Sequence, residues 1–257
     1  FKIGNIQFQQ KKYLAAIKTW EKYVARFPNG PHWAASQNSI INAEFQQGLA
    51  ALADDDYDRA RALFNDFLKA HPLDARSRQI LFTFGQIHYA HAQELEEDKG
   101  NPDAIAQSYR QAIEEWEKLV SKYPNTEESS LALYRTGTVL EEELGDLELA
   151  LKTYRRLTWG SYAGQARQRI SVMTEKQLKL STERKFRTNE PVEVRLKTRN
   201  VEKITVKTYR VDLDAYFRKT HGIGGVDALD IALIEPDKSW EIEIADYAKY
   251  KPIEQKI

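Results

Sequence analysis

The chain has 257 residues, 42% hydrophobic and 30% charged, a length and balance that suit one large or two ordinary folded domains and exclude a disordered chain. Lys plus Arg and Asp plus Glu each number 38, so the net charge is zero and a broad electrostatic attraction to nucleic acid or anionic lipid is excluded. Cysteine is absent, which removes disulfides, thiolate metal sites and cysteine nucleophiles, and no apolar run approaches the roughly 18 residues of a membrane span.

Up to about Met173 the apolar residues recur three and four apart, among Ala, Leu, Gln, Glu, Lys and Arg, which predicts helices. The first residues already read as the middle of a helix, and the alternating pattern is still running at Ile257, so the chain is expected to be a piece of a longer protein. One set of residues returns along this part. Tyr13, Ala16, Trp20, Tyr23, Phe27 and Pro28 are followed at the same spacing by Tyr57, Ala60, Phe64, Phe67, His71 and Pro72. Tyr109, Ala112, Trp116, Leu119, Tyr123 and Pro124 make a third set, and Leu147, Ala150, Tyr154 and Leu157 a fourth without the proline. The spacing puts each set on one helical face, where the alanine admits a neighbouring helix and the aromatic one turn later fills the space beside it. The prolines stop the helices. Each of these helices is preceded by another bearing a glycine: Gly4, Gly48, Gly85 and Gly137. From glycine to alanine is 12 residues in the first two repeats, 27 in the third and 13 in the fourth, so the third pair carries an insertion of about four helical turns, expected to project around Glu94 to Asp103. Tyr162 to Met173, with Ala163, Ala166 and Ile170 on one face, reads as a closing helix.

This pattern resembles the tetratricopeptide repeat, a helical hairpin that stacks into a solenoid. The repeat lengths between Tyr13, Tyr57, Tyr109 and Leu147 are 44, 52 and 38 residues, longer than the usual ~34. Long repeats ending in Phe-Pro, His-Pro or Tyr-Pro look most like those of bacterial envelope proteins, which implies the bacterial periplasm or cell envelope. Carried over residue by residue, the resemblance places Asn5, Asn42, Phe45, Gln79, Phe82, Gln86, Tyr89, Tyr134 and Thr138 on the concave face, lined by the first helix of each pair. Amides beside rings suit an extended peptide, the amides gripping its backbone and the rings its side chains.

Beyond Leu178 the composition turns to Val, Thr, Ile and Tyr in alternation. The switch predicts a boundary near residues 174–179: a helical domain over 1–176 and a small antiparallel β-sandwich over 177–257, in all an α+β chain of two domains. Strands are expected at Leu178 to Thr182 and at Pro191 to Thr198, the latter with Val192, Val194 and Leu196 inward. A long strand from Lys203 to Leu213 follows, with a bulge near Lys207 or Thr208 to absorb a slip of apolar phase. Asp214 to His221 reads as a helical turn and Gly222 to Gly225 as a loop. Further strands are expected around Leu229, Ile231 and Leu233, around Trp240, Ile242 and Ile244, and from Ile253. Asn200 falls in a turn.

The stretch PVEVRLKTRNVEKITVKTYRVDLDAYFRK, followed by PDKSWEIEI, resembles the macroglobulin-type sandwich domain of bacterial alpha-macroglobulins. That resemblance implies a large envelope protein of protease-inhibitor type, with bait segment and thioester downstream and further domains of the same parent chain as partners. Glu254–Gln255 has no cysteine beside it and is not the thioester motif.

No pattern of catalytic residues emerges. His88, His91 and Glu94 step along one predicted helix, but each step drifts by about 60°, so they do not converge on a metal and read as packing residues. The acidic runs Asp54–Asp56 and Glu141–Glu143 read as solvated surface. Arg155, Arg156, Arg167 and Arg169, with Trp159 and Tyr162 among them, are expected to dock the helical array onto the sandwich domain and not to form a nucleic-acid site. The sequence therefore points to a non-enzymatic interaction module without cofactor or metal, binding a protein or extended peptide. A stand-alone scaffold for envelope assembly and the non-catalytic part of a larger hydrolase are the alternatives.

Overall fold

The structure, a computed structural model, describes residues 1–184, 186, 190–222, 224–225 and 234–257. It divides into two compact units, Phe1–Arg167 and Gln168–Ile257.

The first unit is a run of helical hairpins: α1 (Lys2–Gln9) with α2 (Tyr13–Arg26), α3 (Trp33–Ala53) with α4 (Tyr57–Ala70), α5 (Ser77–Glu97) with α6 (Pro102–Lys122), and α7 (Glu127–Thr138) with α8 (Leu147–Arg156). The division between the units falls inside α9 (Ala163–Thr174), whose Ala163 and Ala166 are buried. Ala16, Ala60, Ala112 and Ala150 are fully buried, and the aromatic one turn later lies against the glycine of the partner helix. A Cβ at Gly4, Gly48, Gly85 or Gly137 would sit 2.3, 2.3, 2.2 or 2.4 Å from the ring of Trp20, Phe64, Trp116 or Tyr154. Only a residue without a side chain lets the helices cross this closely.

The hairpin turns are alike. Lys11, Asp55, Lys99 and Gly145 each take positive φ, and the side chains of Asp56, Asn101 and Asp146 cap the second helices α4, α6 and α8. Phe27, His71 and Tyr123 leave the helical region, with φ of −131°, −129° and −130°, since the following prolines disfavour a helical residue before them. The insertion lengthens the second helix of the third hairpin, α6, to 21 residues where α2 and α4 have 14, while α5, like α3, has 21. The single extra residue of the fourth repeat is taken up as a π-helical turn, Val139–Glu143, continuing α7.

In the second unit β1 (Gln177–Ser181), β2 (Arg195–Arg199) and β5 (Ile253–Lys256) form an antiparallel sheet in the order β1-β2-β5. β3 (Lys203–Thr208) pairs antiparallel with β4 (Lys238–Glu243), setting Ile204 against Ile242 and Val206 against Trp240. The chain is thus a helical tetratricopeptide-like region followed by a small antiparallel sheet region. Two details differ from the sequence reading. Val192 is 60% exposed and precedes β2; the buried phase there is Leu196 and Thr198. The strand from Lys203 stops at Thr208, because Asp212 caps α10 (Leu213–Thr220) through the Ala215 amide. The apolar phase slip is therefore a strand end and a helix start, not a bulge. Leu229, Ile231 and Leu233, and Ile223 of the glycine loop, lie outside the described residues.

Asn200 joins three segments of this unit. It takes positive φ, donates to the carbonyls of Met173 (2.7 Å) and Glu175 (3.0 Å), and accepts from the Tyr250 amide (2.7 Å). Asn200→Ala is expected to cost about 3 kcal/mol, and Asn200→Gly, which keeps the backbone freedom, about 2 kcal/mol, as read by denaturant unfolding. Equal and negligible losses would show that the three bonds carry no stability.

Candidate functional site

The first helices of the hairpins, α1, α3, α5 and α7, carry all nine residues that the repeat pattern assigns to the concave face. Asn5 on α1 and Asn42 on α3 meet in one pocket of about 280 Å³, with Phe1, Phe8, Gln9, Trp20 and Ser39 as the rest of its lining. The hairpin crossing builds its floor. With no side chain at Gly4, the Trp20 indole reaches across to donate to the Phe1 carbonyl at 3.2 Å, and Phe8 lies 6.1 Å from that ring. Phe1 also stacks on His32 at 4.7 Å. Both asparagines are half-buried, and the Asn5 side-chain amide makes no hydrogen bond to a described residue. The pocket thus offers amide groups above an aromatic floor.

Beside it, Asn42 accepts from the Arg76 guanidinium at 3.4 Å. Arg76 is held on Asp74 by two bonds of 2.8 and 2.7 Å and lies over the rings of Phe45 and Phe67. His71 contacts Glu44 at 2.6 Å and packs against Phe67. The Arg76 bonds hold the Asp74 carboxyl down at about 2, burial opposing them. A depressed carboxylate stabilises the fold above its unfolded value near 3.9, and that contribution is lost as the pH falls through about 2. Asp74→Asn is therefore expected to cost about 1–2 kcal/mol at pH 7, discounted for partial solvent screening, and nearly nothing at pH 2. A cost independent of pH in urea titrations would contradict this.

The other assigned residues are placed differently. Phe45 and Phe82 are only 5% and 8% exposed. Phe45 is enclosed by Phe64, Phe67 and Arg76, while Phe82 stacks on Trp116, whose indole donates to the Phe82 carbonyl at 3.1 Å. These partners close both rings, so neither is open to a ligand. Gln79 and Gln86 are exposed. Tyr89 packs against Tyr109 and Trp116, and its hydroxyl is pushed up by burial and by Glu143. Tyr134 lies between Tyr154 and Tyr162, and the Thr138 hydroxyl donates to the Arg135 carbonyl of its own helix.

Phe1 and Phe8 were not among the assigned residues. Their signal was present: they stand three before and four after Gly4, where Phe82 and Tyr89 stand about Gly85. Arg76 and Asp74 carried none, being loop and helix-start residues outside the repeat spacing. His88, His91 and Glu94 each face a different partner: Arg61, Ser108 and Tyr57. Among the described residues no three His, Asp or Glu groups are placed to hold a metal ion. Of the late arginines, Arg156 grips Glu117 through two bonds of 2.6 and 2.8 Å, and Trp159 donates to the Thr126 carbonyl.

The family model YfiO, described as outer membrane lipoprotein, matches residues 1–184. The chain belongs to this family. The match covers the whole helical array and reaches β1, and its description assigns the YfiO family to the cell envelope. A search of curated proteins gave no match. Among the described residues no helix is long and apolar enough to cross a membrane.

Proposed function

We propose that the chain is a non-catalytic envelope scaffold that holds an extended segment of a partner protein along the first-helix face. The observation that carries this reading is the pocket between α1 and α3, where Asn5 and Asn42 stand over Phe1, Phe8 and Trp20. A side chain of the segment enters the aromatic floor while the two amides bond its backbone, the usual division of labour in peptide recognition. The stand-alone scaffold is favoured over a protease-trapping parent, because a family of envelope lipoproteins accounts for the helical array. The second reading, an alpha-macroglobulin-type parent, draws support from β2 and β3 falling within the stretch that resembles a macroglobulin domain.

A phage-displayed library of linear peptides, selected against the chain, tests the proposal. The selected peptides are expected to lose tenfold or more in affinity, about 1.4 kcal/mol or more, for the Asn5→Ala/Asn42→Ala chain while its unfolding midpoint barely moves. Peptides that bind both chains equally would refute the pocket as the anchor.

A further inference from the structure

Ile3 and Ile6 on α1 are 66% and 53% exposed. They stand one before and two after Gly4. In the third repeat the same positions, counted from Gly85, hold Phe84 and Ile87, and in the fourth, counted from Gly137, Thr136 and Val139; all four are 6% exposed or less. What covers them is the second helix of the preceding hairpin. Phe84 meets the Phe64 ring of α4 edge-on at 6.4 Å and lies under the Arg61 guanidinium, and Ile87 joins the same core. α6 likewise packs against α7. In the second repeat these positions hold Gln47 and Ala50, half-buried on α3, which packs against α2. Two branched aliphatic side chains in a seat that the array elsewhere fills are a poor choice for a solvent face.

We propose that Ile3 and Ile6 form the receiving face for the second helix of a further hairpin of the same repeat type, continuing the array through α1. The occupant is defined by the interface it extends: an amphipathic helix presenting an aromatic side chain toward Ile3 and Ile6, as α4 presents Phe64 to α5. This surface is separate from the pocket of Asn5 and Asn42, and the inference does not depend on peptide binding there.

The register allows a direct test. Phe1 stands where Phe82 stands, three residues before the glycine, so a second copy of residues 33–81 joined ahead of Phe1 supplies α3, α4 and the start of α5 in phase. Thermal unfolding is then followed for the fused and unfused chains, each with Ile3→Asp or Ile6→Asp. The fused chain is expected to melt higher than the unfused one. Each substitution should lower its Tm by about 8 °C, and that of the unfused chain by less than about 2 °C. Substitutions equally harmless in both chains would overturn the proposal. So would self-association of the unfused chain, seen by sedimentation and abolished by Ile6→Asp, which would make a second copy the occupant.

Discussion

Trp116→Ala is expected to cost about 4 kcal/mol of stability. The ring is 1% exposed at the crossing of the longest hairpin, where it stacks on Phe82 and lies 6.2 Å from Tyr89. Truncation leaves a cavity that Gly85 cannot fill and breaks the indole bond to the Phe82 carbonyl. Trp116→Phe gives the contrast. It installs the ring that the second hairpin already uses at Phe64, and the carbonyl it abandons sits within helix α5. The phenylalanine variant should lose only about 1–2 kcal/mol. Guanidinium unfolding followed by circular dichroism reads both. If the two variants fall equally, the hydrogen bond and not the packing dominates the crossing.

Gly85→Ala should cost about 3 kcal/mol, the reverse of the helix-propensity trend, in which alanine gains about 1 kcal/mol over glycine. The added Cβ would lie 2.2 Å from the Trp116 indole nitrogen, and the ring cannot retreat because it is packed on all sides. The helices must separate by more than an ångström, loosening the contacts on both sides of the crossing. Gly164→Ala in α9 is the control, since its Cβ would meet only the tip of Arg167 at 3.9 Å. That substitution should be neutral or stabilising in the same unfolding assay. A neutral Gly85→Ala would mean that the hairpin crossing is looser than the geometry requires.

The helical array was legible because each of its instructions is local. Glycine, alanine, aromatic and proline recur at fixed spacing, and the count of 13 residues from Gly137 to Ala150 already contained the π-turn. The candidate face was legible only in part. Spacing gives the face of a helix, but whether a ring on that face is open depends on which side chains pack against it. Phe45 is closed off by Phe64, Phe67 and Arg76 and Phe82 by Trp116, while Phe1, at the matching position of the first hairpin, lines the pocket. The Asp74–Arg76 pair escaped notice because it comes together through a loop, with no period to mark it. In the second unit the alternation at Ile204 and Val206 identified β3 correctly, yet Tyr209 to Leu213 looked like more of the same strand. The deciding signal was Asp212, whose carboxylate accepts the Ala215 amide and starts α10.

If the first-helix face around Asn5 and Asn42 holds a partner protein, the contact can be trapped in place. Site-specific photo-cross-linking in intact envelopes tests it most directly, with the reactive side chain placed at Asn5 or Ser39 in the pocket, and at Lys22 or Glu114 on the exposed faces of α2 and α6. The pocket positions are predicted to give one discrete adduct with a partner protein, lost when Asn42 is replaced by alanine, and the second-helix positions none. An adduct of equal yield from Lys22 or Glu114, or no adduct from the pocket, would exclude the first-helix face as the partner's seat.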